Sequence, residues 1–555
     1  MLLLLACLEM TGIGGKMEIR NVGGAAIASV LTLTTVLTPV MQAEMTVQAK
    51  SKVELNKSEI ELVAGKSKKL KLKGAKAVKF ESSNKKVAKV TKTGKIKAKK
   101  AGTCTISVYD ENGKVYKCKV TVTKKGGKEE TKDYSNVDLG GIEIVIRDWW
   151  SPEDPIEPRN DYEEAQRKYQ QELMEKYNFT VERRAISDWG SAAIDFIDYT
   201  AYGGDYVNYV FVLHNDDELV KAMYNGMMYD LSTLDCLDFS SEKFTANRTH
   251  ELYSLGGSIY ACNMGPSEPR RGIYFNPEVL KDAGIDPESI YDMQINGTWT
   301  WDAFEKIMSE VQRDTDGDGT DDVFGLCCNN SEFAESAVFS NGGQFVGKTS
   351  KGKFTYDLEN SATLEALDWM VDIFTTYNNH DPEYAPWDYY IEEFNSGTVA
   401  FMLGEEWRGD YYGNLTDAYF TPGFVMFPKG PKADNYVYVW NDNFYAIPGC
   451  YDAERAWKIA FALNVYNNPV PGFEDYNEYI EFARYYCFDD RAKDETIPKM
   501  CDPDRVALPY HAVIPGIELG HDLTYDISYP YGEVEYTIEK IRNEWEESID
   551  KANKR

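Results

Sequence analysis

Three groups of residues in this chain have the types and spacings to do chemistry. Asp314, Asp316 and Asp318, with Gly319 behind them, set carboxylates at alternate positions, the first half of a loop that encloses an oxygen-liking cation. The second half departs from that pattern: the closing bidentate glutamate would fall at Gly325, which leaves Asp321 or Asp322 to compensate. A structural calcium on Asp314, Asp316, Asp318 and Asp322 is one reading, and a rigid Asp-Gly turn is the other. The second group is Arg147-Asp148-Trp149-Trp150 together with His214-Asn215-Asp216. Rings cover the apolar CH faces of a sugar, and Asp, Glu and Asn bond its hydroxyls. Glu405 and Glu406 form the third group, because glycoside hydrolysis needs two carboxylates about 5 to 9.5 Å apart astride one bond. Strand alternation puts these two on opposite faces, which weakens them as such a pair. None of the five histidines sits beside a Ser or Cys in a nucleophile elbow, and no CxxC indicates zinc.

These groups fall at the ends of regular elements. A strand from Ile142 to Ile146 leads into Trp149 and Trp150, and a strand from Val207 to Leu213 leads into Asn215. Ligands of open α/β sheets bind beyond the carboxyl ends of strands, so both loops are well placed. Between them lie a helix over 163–177, a strand over 180–186 and the loop Asp188-Trp189, and a helix over 219–224 follows. That alternation predicts α/β layers with mainly parallel sheets. Further on, Asn276 caps a helix from Glu278 to Ala283 that Gly284 stops, and Thr300 caps a second helix with Ala303, Phe304, Ile307, Met308 and Val311 at helical spacing. Tyr274, Trp299 and Trp301 lie just outside these helices and are expected to face a cleft.

The chain is too long for one core, and its charge divides it. About two dozen lysines crowd residues 50–132, whereas the whole chain of 555 residues carries a net charge of -30. The lysines alternate with apolar residues along short strands punctuated by glycines, a pattern for a small β-sandwich with one solvated face. No aromatic platform is interleaved, which argues against nucleic acid as a partner. Residues 1–49 read as an export signal, with Arg20 before an apolar run and small-residue exits at Ala43 and Ala49; Met17 is an alternative start. Cys7 sits in a poor imitation of a lipoprotein box. Residues 125–141 read as a linker. Outside a reducing compartment Cys104 and Cys118, on neighbouring strands, are able to bridge, as are Cys487 and Cys501.

Two resemblances sharpen this outline. The phrases Leu55-Asn56-Lys57-Ser58, Val87-Ala88-Lys89-Val90 and Ala101-Gly102-Thr103 make residues 50–124 resemble a bacterial Ig-like domain of group 2. The stretch from Tyr274 to Gly325 resembles the family 1 extracellular solute-binding proteins, as do Phe394–Met402, Asn341-Gly342-Gly343 and Trp440–Asn443. That second resemblance implies a two-lobed periplasmic-binding-protein-like fold of type II over 142–555. Lobe 1 would take about 142–265 and 395–447, and lobe 2 about 266–394 and 448–555. It implies a ligand cleft with contacts from Trp149, Trp150, Asp188, Trp189, Asn215, Tyr274, Trp301, Asn341, Glu406, Trp407, Trp440 and Asp442. The implied role is capture of a carbohydrate, an oligosaccharide above all, outside the cytoplasmic membrane. A monomer would present it to the permease of an ABC importer, with no catalysis and no required cofactor. The acidic surplus favours neutral or cationic ligands over anionic ones. A secreted carbohydrate-active hydrolase and a cell-surface adhesin are the rival readings.

Overall fold

The computed structural model describes residues 53–123, 133–152, 157–379, 386, 388–409, 415, 418–473, 476–486, 489–528 and 532–555. The export signal, Cys7, Cys487 and much of the linker lie outside them. The chain divides into two units, Met1–Glu130 and Thr131–Arg555.

In the first unit, side-chain alternation does what the lysine pattern predicts. Lys95 and Lys97 are exposed while Ile96 and Ala98, which alternate with them, are buried. One sheet orders Glu59–Val63, Val115–Thr123, Gly102–Asp110 and Ala77–Ser82; a second orders Ser67–Lys69, Lys95–Ala98 and Ala88–Val90. Between Ser67–Lys69 and Leu72–Lys73 the strand is interrupted, and Leu70 there is buried in the core. Gly94 has φ +80, and a Cβ there would lie 2.4 Å from the Leu70 carbonyl oxygen. Only glycine fits that turn. Cys104 and Cys118 are buried free thiols. They stand opposite Val120 and Ile106 rather than each other, so they serve as small core residues.

In the second unit, Phe179–Ala185, Ile142–Asp148 and Asn208–Leu213 run parallel, and Phe444–Ala446 joins them antiparallel at the edge. A second sheet orders Phe324–Cys327, Val399–Glu405, Arg271–Phe275 and Gly423–Val425. The first sheet thus takes in a strand from far beyond the point where the chain leaves it, which ties two α/β halves into one two-lobed body.

The division between halves differs from the expected one. Val399–Glu405 pairs with Phe324–Cys327 and Arg271–Phe275, so it belongs to the second half, and the helix Ala453–Tyr466 packs on the first. Both segments are apolar, and local pattern alone does not say which sheet a buried strand completes.

Two passages of the chain between the halves run side by side. Cys262 and Tyr445 exchange backbone hydrogen bonds of 3.3 and 2.9 Å, and the Asn263 amide donates to the Asn443 carbonyl at 3.2 Å. Among the described residues no helix is long and apolar enough to cross a membrane.

Candidate functional site

Three loops at the carboxyl ends of the parallel strands bring their rings together. Buried Asp148 ends the first strand and holds the loop after it, accepting from the Ser151 backbone N–H at 3.1 Å and its hydroxyl at 2.6 Å, with Arg183 alongside at 3.4 Å. That turn presents Trp149 edge-on to Trp150 at 4.8 Å and to His214 at 5.8 Å. Trp189, from the loop after the second strand, stacks on His214 at 4.3 Å with its ring nearly parallel. The His214 ring is fixed by two backbone carbonyls, of Asn215 at 2.9 Å and of Trp189 at 3.0 Å. Trp150 is 50% exposed and Trp189 62% exposed, so ring faces are left for a partner. Asp188, also exposed, accepts from the Ser191 N–H at 2.9 Å and shapes this loop.

Next to the shelf lies a cavity of about 300 Å³. Asn215, Asp216 and Asp217 line it from the first half, Arg271, Glu332 and Glu335 from the second, and His511 from the C-terminal segment. Asn215 accepts from the Tyr253 hydroxyl at 3.1 Å, which orients its amide. Asn329 caps the helix Asn330–Ser340, and Glu332 and Glu335, one turn apart on it, both reach Arg271. His511 adds a contact of 3.1 Å to Glu335. Burial opposes ionisation of both glutamates, but with different outcomes. Arg271 and His511 outweigh it at Glu335 and hold that carboxyl down to about 2, whereas Glu332 is pushed up to about 7.

A second ionic cluster sits at the crossings. Asp442 is 2% exposed, and its Oδ2 accepts from the Ser267 hydroxyl at 3.1 Å and the Glu268 N–H at 3.4 Å. Its Oδ1, Glu406 Oε2 and Trp440 Nε1 are buried and have no hydrogen-bond partner. Burial pushes Asp442 up to about 8 and Glu406 well above the carboxylate range, with Glu268 adding to both. Buried polar atoms without partners are costly unless something comes to meet them. Glu405, the last residue of its strand, pairs instead with Arg408 at 3.1 Å, while Glu406 opens the helical turn that follows. Trp407 is half-buried under the Arg408 guanidinium, 4.6 Å from its ring. The structure thus groups Trp149, Trp150, Asp188, Trp189 and Asn215 beside the cavity, and Glu406, Trp407, Trp440 and Asp442 at the crossings.

Three expected contacts are core residues instead. Tyr274 is 3% exposed, and its hydroxyl donates to the carbonyls of Glu405 and Glu406 at 3.0 and 2.8 Å. Trp301 stacks on Trp369 at 4.1 Å and donates to Ser340 Oγ at 3.1 Å; Trp299 is likewise buried. Asn341 is fully buried, bonded to the Ala362 carbonyl, Glu365 and the Lys432 N–H. In each case the polar end is satisfied inside the fold, so nothing draws the side chain to the cleft. Arg271, Glu332, Glu335 and His511 are the residues that sequence reasoning missed.

The acidic loop divides similarly. Carboxylate oxygens of Asp314, Asp316 and Asp322 lie within 4.8 Å of one another, while Asp318 turns to the Thr320 N–H at 2.7 Å. Gly325 is buried in a strand against Met308. Three exposed carboxylates suit a hard cation, but the closing ligand is absent and Asp314 already accepts three backbone N–H groups.

Comparison with known proteins adds to this geometry. Residues 259–460 match the bacterial extracellular solute-binding protein family, and residues 40–122 match the bacterial Ig-like domain (group 2). No curated protein matches the sequence. Among solved structures, the chain is similar to UgpB from Mycobacterium tuberculosis in complex with glycerophosphocholine, at 17% identity over 70% of this chain and 95% of that one, TM-score 0.48. It is similar to the cyclic alpha-maltosyl-1,6-maltose binding protein from Arthrobacter globiformis, at 13% identity over 75% and 98%, TM-score 0.48. It is also similar to the sugar-binding protein MalE from the phytopathogen Xanthomonas citri, at 12% identity over 74% and 98%, TM-score 0.47.

Proposed function

We propose that the Thr131–Arg555 unit captures a carbohydrate between its two halves, outside the cytoplasmic membrane, and delivers it to the permease of an ABC importer. The observation that carries this reading is the shelf of Trp149, Trp150, Trp189 and His214 beside a cavity walled by carboxylates and one arginine. Rings stack on the apolar faces of a sugar, and carboxylates accept from its hydroxyls. The match of residues 259–460 to a solute-binding family supports the same role. Closure about the neighbouring passages at 262–268 and 442–445 would shift the unit between open and closed populations, and the solute would select the closed one. A thermal-shift screen against mono- and oligosaccharides tests this. A sugar at a hundredfold excess over its Kd stabilises by about 2.7 kcal/mol. If no saccharide raises the melting temperature, the proposal fails.

One observation favours hydrolysis. Glu332 and Glu335, with carboxyls pushed apart to about 7 and about 2, resemble an acid and a base in poise. Glu335, however, is committed to Arg271 and His511, which leaves it poorly free to attack a sugar. Chromatography of the stabilising sugar after prolonged incubation decides between the readings, since only a hydrolase shortens it. The Ig-like unit serves as a spacer. A calcium ion on Asp314, Asp316 and Asp322 would be structural, bound at the about 10⁻⁴–10⁻³ M typical of extracellular modules.

A further inference from the structure

Carboxylates outnumber cations on the walls of the cavity. Ionised Glu335 can only accept, so His511 Nε2, 3.1 Å from it, carries the hydrogen of that contact. His511 is 4% exposed, lines the cavity, and its Nδ1 has no partner. Glu332 Oε2 and Arg271 Nε are also buried and unpartnered. Arg271 is the one arginine or lysine on the walls, and it is bonded to Glu335 and 3.4 Å from Glu332. Against it stand Asp216, Asp217, Glu332, Glu335 and Glu518, of which Asp217 is offset by Lys221 outside the cavity. Ile514 and Ile517 supply an apolar flank.

We propose that this cavity receives a protonated amino group of the solute, so that the carbohydrate is an amino sugar with a free amine. The inference rests on the carbohydrate reading above. An ammonium carries three donors and no acceptor, which suits walls on which carboxylates outnumber cations, and its charge offsets their surplus. Glu332 is raised first by burial and then by Glu405, against the pull of Arg271 and Arg408. A cation beside it would make it give up its proton.

Isothermal titration of the full chain with glucosamine, galactosamine and the β-1,4-linked glucosamine disaccharide, each against its N-acetylated form and its neutral counterpart, tests the proposal. The expected result is that a free amine binds at least about tenfold tighter than both counterparts. That preference shrinks as sodium chloride rises from about 0.05 to 0.5 M. At pH 7 the binding enthalpy changes with the ionisation enthalpy of the buffer, which reports the released proton. Glu332→Gln reduces the preference to less than about threefold; the salt and buffer series on the wild-type chain keep the test decisive should that variant misfold. Equal or tighter binding of a neutral or N-acetylated sugar overturns the amine and leaves the carbohydrate reading standing. Binding of no saccharide at all overturns both.

Discussion

Replacing Asp442 by asparagine probes the ionic cluster at the crossings. The wild-type carboxyl, pushed from the ordinary 3.8 to about 8 by burial and by Glu268 against the pull of Arg270, stays protonated in the fold through neutral pH. The unfolded chain releases that proton near 3.8. Between the two values the unfolded state binds fewer protons, so stability is full below the lower one and falls as pH rises toward the upper. At pH 7 the span from 3.8, at about 1.36 kcal/mol per unit, comes to about 4 kcal/mol of lost stability. Asparagine has the shape of the protonated acid, keeps an oxygen for Ser267 and the Glu268 N–H, and does not ionise. Readjustment of Glu268 and Arg270 reduces the gain, so Asp442→Asn should stabilise by about 1–3 kcal/mol at pH 7. All 11 tryptophans lie after residue 148, so urea unfolding followed by tryptophan fluorescence reads the second unit alone. Over pH 4 to about 9 the variant should show a flatter stability curve than the wild type. Equal slopes for the two proteins, or a variant less stable at pH 7, would refute the reasoning.

Other outcomes follow from the same structure. Trp189→Ala, at a 62% exposed ring, should leave the unfolding free energy within about 1 kcal/mol of wild type yet weaken saccharide affinity by about tenfold, read by titration calorimetry. Trp301→Ala, by contrast, empties a core site stacked on Trp369 and should cost about 3–5 kcal/mol in urea unfolding. Gly94→Ala forces a Cβ against the Leu70 carbonyl at positive φ, and should cost the Ig-like unit about 1–3 kcal/mol, seen as earlier proteolysis of residues 53–123 with sugar affinity unchanged. Calcium titrated into chelator-treated protein should bind with a Kd of about 10⁻⁴–10⁻³ M, and Asp314→Asn should abolish the heat; no heat in the wild type would reduce the loop to a turn.

The parts of the fold legible in the sequence are those fixed by neighbours in the chain. Asn276 accepts from the N–H groups of Glu278 and Val279, Thr300 from that of Ala303, and Gly284 has φ +77, all as the local chemistry demands. Trp149 and Trp150 were legible as loop residues because they directly follow a strand whose apolar run is plain. Tyr274, Trp301 and Asn341 were misplaced because their exposure is decided by distant partners, Glu405, Trp369 and Lys432 among them. The same distance hid the cavity's charges. Arg271, Glu332 and His511 span 240 positions and meet only because a strand, a helix and a C-terminal turn converge. The sole local hint was a capped helix bearing Glu332 and Glu335 one turn apart. The lobe boundary failed for a related reason, since Val399–Glu405 is buried on both faces and carries no mark of the sheet it completes.

Native mass spectrometry of the full chain, mixed with a panel of amino and neutral oligosaccharides, puts the matter most directly. The expected spectrum shows one sugar per chain, released on activation at its original mass, with the signal lost in a Trp150→Ala, Trp189→Ala double variant. A spectrum with no sugar retained, or with the sugar recovered shorter than it was added, would contradict capture of an intact carbohydrate between the two halves.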